Sequence, residues 1–111
     1  MSESFYIPKN LEDCFIQLDK ILSEEDKNFI KKLGNRNETF TLHFTLGLWI
    51  RNNWIYRKDS RLSSYFSNKV IHEDDISGII IQFYYDWLNN NNEEWQEWIN
   101  NKNKSWNSYR I

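Results

Sequence analysis

The apolar residues of this chain recur at helical spacing, and this periodicity is the feature that most constrains the fold. A first stripe follows the i, i+3, i+4, i+7 rule and consists of Leu11, Cys14, Phe15, Leu18, Ile21 and Leu22. A later stripe is stronger and consists of Ile76, Ile79, Ile80, Phe83, Tyr84, Trp87 and Leu88. Such stripes are typical of amphipathic helices that bury one face. The pattern predicts an all-α fold.

Capping signals divide the chain into short helices. Helix-starting residues stand before the apolar stripes, at Asn10, Ser23, Thr39, Asp59 or Ser60, and His72 with its acidic successors. Four consecutive Asn residues, 89–92, are suited to a turn before a last aromatic segment. We expect a single domain over residues 1–111, built as a compact bundle of five to six short helices.

The third predicted helix covers residues 40–53 and is apolar on nearly every side. Its large apolar residues do not fit one stripe: Phe40, Leu42, Phe44, Leu46, Leu48, Trp49 and Ile50. A strand is the competing interpretation, but the length of the run and its flanking caps favour a helix at the centre of the bundle. Gly47 costs a helix about 1 kcal/mol relative to Ala, so we expect a neighbouring helix or aromatic ring to approach closely there. Residues 54–58 are predicted to form a turn or an irregular stretch.

Composition excludes several classes of protein. The formal net charge of −2 argues against a nucleic-acid binder, which presents a basic face. No stretch reaches the roughly 18 consecutive apolar residues of a membrane span, and the first residues lack the pattern of a signal peptide. The one cysteine, Cys14, excludes an internal disulfide and fits a reducing compartment. These features predict a cytoplasmic protein.

Candidate catalytic and metal-binding residues are few. One Cys and two isolated His do not supply the three or four ligands of a zinc site. The acids after His72 are explained by the helix N-terminus, which favours negative charge. Cys14 lies on an inward stripe, and His43 is expected in or near the core. Glycine-rich phosphate loops and serine-nucleophile motifs do not occur. We therefore expect no catalytic residue, metal or cofactor.

A polar set is predicted to meet where the third helix ends and the fifth begins. Arg51 suits a helix C-terminus, and Arg51 or Arg61 would face Asp74 and Asp75 if the fifth helix starts nearby. Two interpretations stay open: a bracing network of ion pairs, or a binding site. The polar set consists of His43, Arg51, Asn53, Arg61, His72, Asp74 and Asp75.

An aromatic set is the candidate for binding a partner. Trp and Tyr are the residues that most often anchor interfaces. The alternative is that the C-terminal members pack back on the bundle, because an exposed patch of that size would favour aggregation. The candidate partner-binding residues are Trp54, Trp95, Trp98, Trp106 and Tyr109.

Several sequence blocks carry a resemblance to other proteins. They are IPKNLEDC at residues 7–14, LDKxLSEED at 18–26, HFxLGLWIRNNW at 43–54, SRLxxYF at 60–66 and HxDDISGII at 72–80. Over residues 7–89 the chain resembles a family of small bacterial domains of unknown function. The resemblance implies no activity, and residues 90–111 form an aromatic extension beyond it.

Small size, mild acidity, abundant Trp and Tyr, and the lack of catalytic groups favour a protein-binding module. By analogy with other small acidic bacterial domains, the first hypothesis is an immunity or antitoxin-like inhibitor of a cognate toxin. The alternative is a ligand-binding domain or small enzyme, which requires the polar set to line one water-accessible pocket. A third hypothesis is a self-associating protein, whose mass would depend on concentration. No nucleic-acid or membrane partner is expected.

Overall fold

Six α-helices, a 3-10 helix and a π-helical turn make up the part of the chain that the computed structural model describes, residues 6–67 and 72–100. The α-helices are α1 (Leu11–Ile21), α2 (Glu24–Lys31), α3 (Leu46–Ile50), α4 (Arg61–Phe66), α5 (Glu73–Leu88) and α6 (Glu93–Asn100). The 3-10 helix (Arg36–Leu42) precedes α3, and the π-helical turn (Arg51–Ile55) follows it directly. The predicted all-α fold class is confirmed.

Side-chain caps start three of the α-helices where the sequence predicted them. The side-chain oxygens of Asn10, Ser23 and Ser60 each accept a hydrogen bond from the backbone N–H three residues later, at 2.8, 3.1 and 3.1 Å. These bonds satisfy N–H groups that have no partner within the helix. His72 occupies the corresponding position before α5, but its side chain makes no capping bond.

Helix α5 is the element around which the others pack. Its buried residues lie on more than one side of the helix: Ile76, Ser77, Ile79, Ile80, Ile81, Phe83, Tyr84 and Asp86. It contacts α1, α2, α3, the 3-10 helix and the π-helical turn. The expectation that the third predicted helix is central is therefore wrong. The 16-residue α5 is the longest helix of the described part and carries the most continuous apolar surface.

The third predicted helix is not one helix. Residues 36–42 form the 3-10 helix, α3 has only five residues, and the π-helical turn includes Trp54 and Ile55, which were predicted to be irregular. Thr39 is not a cap. Instead, Asn35 starts the 3-10 helix by accepting a bond from the backbone N–H of Asn37 at 2.9 Å.

Threonines account for this break. The hydroxyls of Thr39, Thr41 and Thr45 each donate to the backbone carbonyl three residues earlier, at 2.7, 2.9 and 3.3 Å. Such local bonds compete with the regular helical ladder, and β-branched side chains are also restricted in a helix. Thr45, directly before α3, has φ −113° and ψ −89°, outside the helical region. The backbone therefore leaves the helical region at Thr45, between the 3-10 helix and α3.

Arg36 connects the 3-10 helix to the last two helices. Its guanidinium bonds to the buried Asp86 carboxylate on α5 at 2.8 Å and also pairs with Glu94 on α6. Burial raises the pKa of Asp86, and the bond to Arg36 opposes this shift. The pair holds the C-terminal end of α5 against the start of the 3-10 helix.

Candidate functional site

Arg51 is the one buried residue of the polar set. Its Nη1 donates to Ser77 Oγ on α5 at 2.9 Å, and its Nη2 donates to the His43 carbonyl at 3.3 Å. Its Nε lies 3.7 Å from a carboxylate oxygen of Asp74. These contacts tie the π-helical turn to the start of α5 and to the end of the 3-10 helix. Arg51 thus acts as a brace among three elements.

Gly47 leaves the space that the Arg51 guanidinium occupies. A Cβ at this position would lie 3.2 Å from Arg51 Nη1 and 3.4 Å from the Leu42 carbonyl oxygen. It would also lie 3.7 Å from the Ile81 side chain on α5. The closest group is therefore the Arg51 guanidinium from the following helical turn, whereas the neighbouring helix α5 is only in ordinary van der Waals contact and no aromatic ring is among the nearest groups.

Asp74 receives a second donor at the same end of α5. The Tyr56 hydroxyl donates to an Asp74 carboxylate oxygen at 3.1 Å. Desolvation, together with this bond, raises the pKa of the Tyr56 phenol. The phenol therefore stays a hydrogen-bond donor at neutral pH.

Arg61 makes its contacts with the N-terminal segment instead. Its Nε donates to the Ile7 carbonyl at 2.7 Å, and its guanidinium carbon lies 5.0 Å from the centre of the Tyr6 ring. The Tyr6 hydroxyl in turn donates to Asp13 at 2.5 Å. The expected contact of Arg51 or Arg61 with the acidic pair is thus made by Arg51, which reaches Asp74, and not by the contacts of Arg61.

The remaining members of the polar set do not form a common site either. Asn53 donates to the Trp49 carbonyl at 2.9 Å. His72 is exposed, and its carbonyl accepts a bond from the backbone N–H of Asp75. The structure brings together only Arg51, Asp74 and the His43 backbone.

The described Trp residues of the aromatic set belong to the core, so their predicted role as an exposed binding surface is wrong. Trp54, Trp95 and Trp98 are all buried. The Trp98 ring centre lies 5.6 Å from that of Phe66 and 5.9 Å from that of Phe83. Through these contacts α6 covers the core between α4 and α5.

Trp95 completes the packing of α6 on the bundle. Its ring meets Phe15 edge-on with centres 5.1 Å apart, and its indole N–H donates to the Asn92 side chain at 2.9 Å. The alternative interpretation, that the C-terminal aromatic residues pack back on the bundle, is confirmed for Trp95 and Trp98. Trp106 and Tyr109 lie outside the described residues.

The exposed apolar surface lies in a different part of the chain. Phe40 and Phe44 are 76% and 78% exposed, and their rings flank the His43 imidazole with centres 6.2 and 4.8 Å away. Exposed apolar side chains of α3 and of the α1–α2 corner add to this surface. We call it the apolar face and define it by its exposed members: Ile21, Phe29, Phe40, Phe44, Leu48 and Trp49.

A groove adjoins part of the apolar face: Ile21, Phe29 and Trp49 line it, whereas Phe40, Phe44 and Leu48 do not. It has a volume of about 350 Å³ and opens between the α1–α2 corner on one side and the 3-10 helix with α3 on the other. Its lining is mainly apolar and consists of Ile21, Leu22, Asp26, Phe29, Ile30, Leu42, Thr45, Leu46 and Trp49. None of the polar set lines it.

Sequence reasoning missed the apolar face, although one signal for it was present. Residues 39–50 contain no Asp, Glu, Lys or Arg, and their apolar residues are spread around all sides of a helix. This pattern fits a buried central helix or an exposed apolar surface equally well.

The described residues offer little chemistry of another kind. In residues 6–67 and 72–100, no three His, Cys, Asp or Glu side chains come together as metal ligands do. Cys14 is fully buried, and burial raises the pKa of its thiol well above the ordinary value, which disfavours the reactive thiolate. No helix in these same ranges has the length and apolar character needed to cross a membrane.

Comparison with known protein families places most of the described structure in one of them. A family model matches residues 7–88, and its description is domain of unknown function (DUF6794). The chain belongs to this family. The resemblance to a family of small domains of unknown function is thereby confirmed. The DUF6794 region contains α1 to α5, including the Arg51 brace and the apolar face, whereas α6 lies beyond it. No curated protein and no solved structure matches the chain.

Proposed function

We propose that this domain is a non-catalytic protein-binding module that contacts its partner through the apolar face. The observation that carries the proposal is the exposure of Phe40 and Phe44, together with that of Phe29 and Trp49, which line an apolar groove. Contiguous exposed apolar surface in a small domain marks interaction sites, and aromatic side chains are enriched at the centres of interfaces. A partner that covers these rings would remove them from water, which is the main favourable term in association.

The alternative function, a ligand-binding domain or small enzyme that uses the polar set, has less support. It requires these side chains to meet in one accessible pocket. Arg51 is instead engaged by Ser77, His43 and Asp74, and Arg61 by the N-terminal segment. The apolar groove also lacks any member of this set.

The partner that we propose is a cognate bacterial toxin domain, which this module would inhibit in the cytoplasm by binding it. The support is an analogy of size and charge with small acidic inhibitors, together with a buried, reduced Cys14 that fits a reducing compartment. An inhibitor of this kind needs only a complementary surface, and the apolar face supplies one.

Quantitative affinity purification tests the proposal. The tagged wild-type protein is compared in its native cells with a double variant, Phe40→Ser with Phe44→Ser, and with the control Ile16→Ser. Ile16 is an exposed apolar residue on α1 that does not belong to the apolar face. Circular dichroism first establishes that all three proteins fold.

We expect the wild-type protein and Ile16→Ser each to capture one stoichiometric partner. The double variant should recover about tenfold less of that partner or lower still, since a loss of 1.4 kcal/mol of binding energy is a factor of ten in affinity. Equal recovery with all three proteins would show that the apolar face is not the binding site. If the purified partner has toxic activity, the wild-type protein should inhibit it and the double variant should not.

A further inference from the structure

The groove has one charged edge, and that edge is acidic. Asp26 is the one charged side chain among the described residues that line it, and it lies in the first turn of α2. The opposite wall comes from residues 42–49, which contain no Asp, Glu, Lys or Arg. The charge at the groove is therefore set by the α1–α2 corner.

The nearby lysine on α2 does not neutralise this edge. Lys27 Nζ lies 2.9 Å from a Glu24 carboxylate oxygen and 3.4 Å from one of Asp19. Residues 19–27 contain four acidic residues and two lysines. One of these lysines, Lys27, is shared by two of the acids. Asp26 thus presents negative charge beside an apolar surface, where a cation from a partner gains an electrostatic contact that is partly shielded from water.

The form of the groove favours a helix as its occupant. The described residues contain no strand, so an extended peptide finds no sheet edge to pair with. A groove between helices instead accepts the apolar stripe of an amphipathic helix, whose anchor side chains are spaced i, i+3 or i+4, and i+7. A volume of about 350 Å³ is enough for such anchors.

We infer that the groove binds a short amphipathic helix of the partner protein, with an Arg or Lys beside its apolar anchors that pairs with Asp26. This inference rests on the proposed function, since it names the part of the partner that the apolar face contacts. Arg suits the position best because its guanidinium can bond both oxygens of a carboxylate.

A peptide-display selection on the entire 111-residue chain tests this chemistry without knowledge of the partner. Random peptides are selected on immobilised wild-type protein and counter-selected on Phe29→Ser, which removes an exposed wall of the groove. The inference predicts groove-dependent peptides with apolar residues at helical spacing and at least one Arg or Lys. Selected peptides that lack a cation, that are rich in Pro, or that bind independently of the groove would overturn it, as would the recovery of none.

Charge reversal then tests the role of Asp26. A selected peptide is synthesised and titrated against wild type, Asp26→Lys and the control Glu25→Lys. Glu25 is the adjacent acid in the same helical turn and does not line the groove, so both variants change the net charge and the helix dipole interaction equally.

We expect Asp26→Lys to weaken binding about tenfold and Glu25→Lys to weaken it by about twofold or less, since long-range charge effects are screened by salt. A peptide with Glu in place of its cation should bind Asp26→Lys better than wild type. Equal effects of the two variants would contradict the pairing with Asp26. Equal effects would leave the proposed function intact if the double variant, Phe40→Ser with Phe44→Ser, fails to capture the partner in the affinity purification.

Two further measurements test for other occupants of the groove. Sedimentation at several concentrations would reveal a second copy of the chain in the groove as a mass increase that Phe29→Ser abolishes. A small apolar molecule would appear by native mass spectrometry as bound mass that Phe29→Ser removes. Either result would overturn the inference of a partner helix.

Discussion

Two aromatic segments of this domain are packed in opposite ways. In α6, Trp95 and Trp98 lie on one stripe between acidic and amide residues, and both are buried. In residues 40–49, apolar side chains surround the backbone, and Phe40 and Phe44 remain exposed. A stripe needs one neighbouring surface to be buried completely. A segment that is apolar on every side needs neighbours all round, and a small domain with a high ratio of surface to volume does not provide them.

The two segments also differ in their position relative to the family region. Helix α6 lies beyond the region matched by the family and completes the core against Phe66 and Phe83. Residues 40–49 lie inside the family region and next to the Arg51 brace. The first segment is part of the core, and the second contains the exposed rings that we propose bind a partner.

The largest effect is expected for Trp98→Ala. It removes a fully buried indole and should lower the free energy of unfolding by about 3–5 kcal/mol, the usual range for a large aromatic residue replaced by Ala. Urea denaturation monitored by far-UV circular dichroism measures the change. A loss of less than about 1 kcal/mol would show that α6 is not part of the core.

An intermediate effect is expected at the brace beside the apolar face. Arg51→Ala leaves the partly buried His43 carbonyl and the buried Ser77 hydroxyl without this donor, so the free energy of unfolding should fall by about 2–3 kcal/mol. Arg61→Ala is the matched control. Arg61 is exposed, and its loss should cost about 1 kcal/mol or less. Equal losses in the two variants would refute the distinction between brace and surface.

A smaller effect of opposite sign is expected for Tyr84→Phe. The Tyr84 side chain is fully buried, and its hydroxyl has no hydrogen-bond partner among the described residues. Desolvation raises the pKa of this phenol far above its ordinary value. Removing the hydroxyl should raise the free energy of unfolding by up to about 1 kcal/mol, because a desolvated polar group is eliminated. A decrease in the same urea titration would show that the hydroxyl is bonded in solution.

The smallest effect on stability is expected at the apolar face. Phe44→Ser should change the free energy of unfolding by about 0.5 kcal/mol or less, as for other exposed positions. It should nevertheless shorten the retention of the folded protein on a hydrophobic-interaction column. A loss of stability comparable to that of Trp98→Ala would place Phe44 in the core and remove the contrast between the two segments.

The sequence predicts the elements whose apolar residues form a single stripe. The spacing of Leu11, Phe15 and Leu18 predicts α1, and Asn10 and Ser23 are found as the expected caps. Such elements depend on local spacing and local hydrogen bonds, both of which the sequence contains. The same holds for Gly47, whose missing side chain predicts a close neighbour.

The sequence does not predict which apolar residues remain exposed. That outcome depends on how the helices share the available interior, and α5 occupies the centre that was expected for residues 40–53. The polar set was only partly predictable for the same reason. Arg51 and Asp74 adjoin because the π-helical turn packs on α5, whereas Arg61 is directed to Ile7 by the position of α4.

Hydroxyl-radical footprinting with mass spectrometry tests the central contrast most directly, because it compares both segments in one sample of the folded protein. The account predicts rapid oxidation of Phe40 and Phe44 and strong protection of Trp95 and Trp98, although indole is intrinsically at least as reactive as a phenyl ring. Upon addition of the captured partner, Phe40 and Phe44 should become protected while the two Trp residues stay unchanged. Rapid oxidation of Trp95 and Trp98 with protection of Phe40 and Phe44 in the free protein would contradict the account.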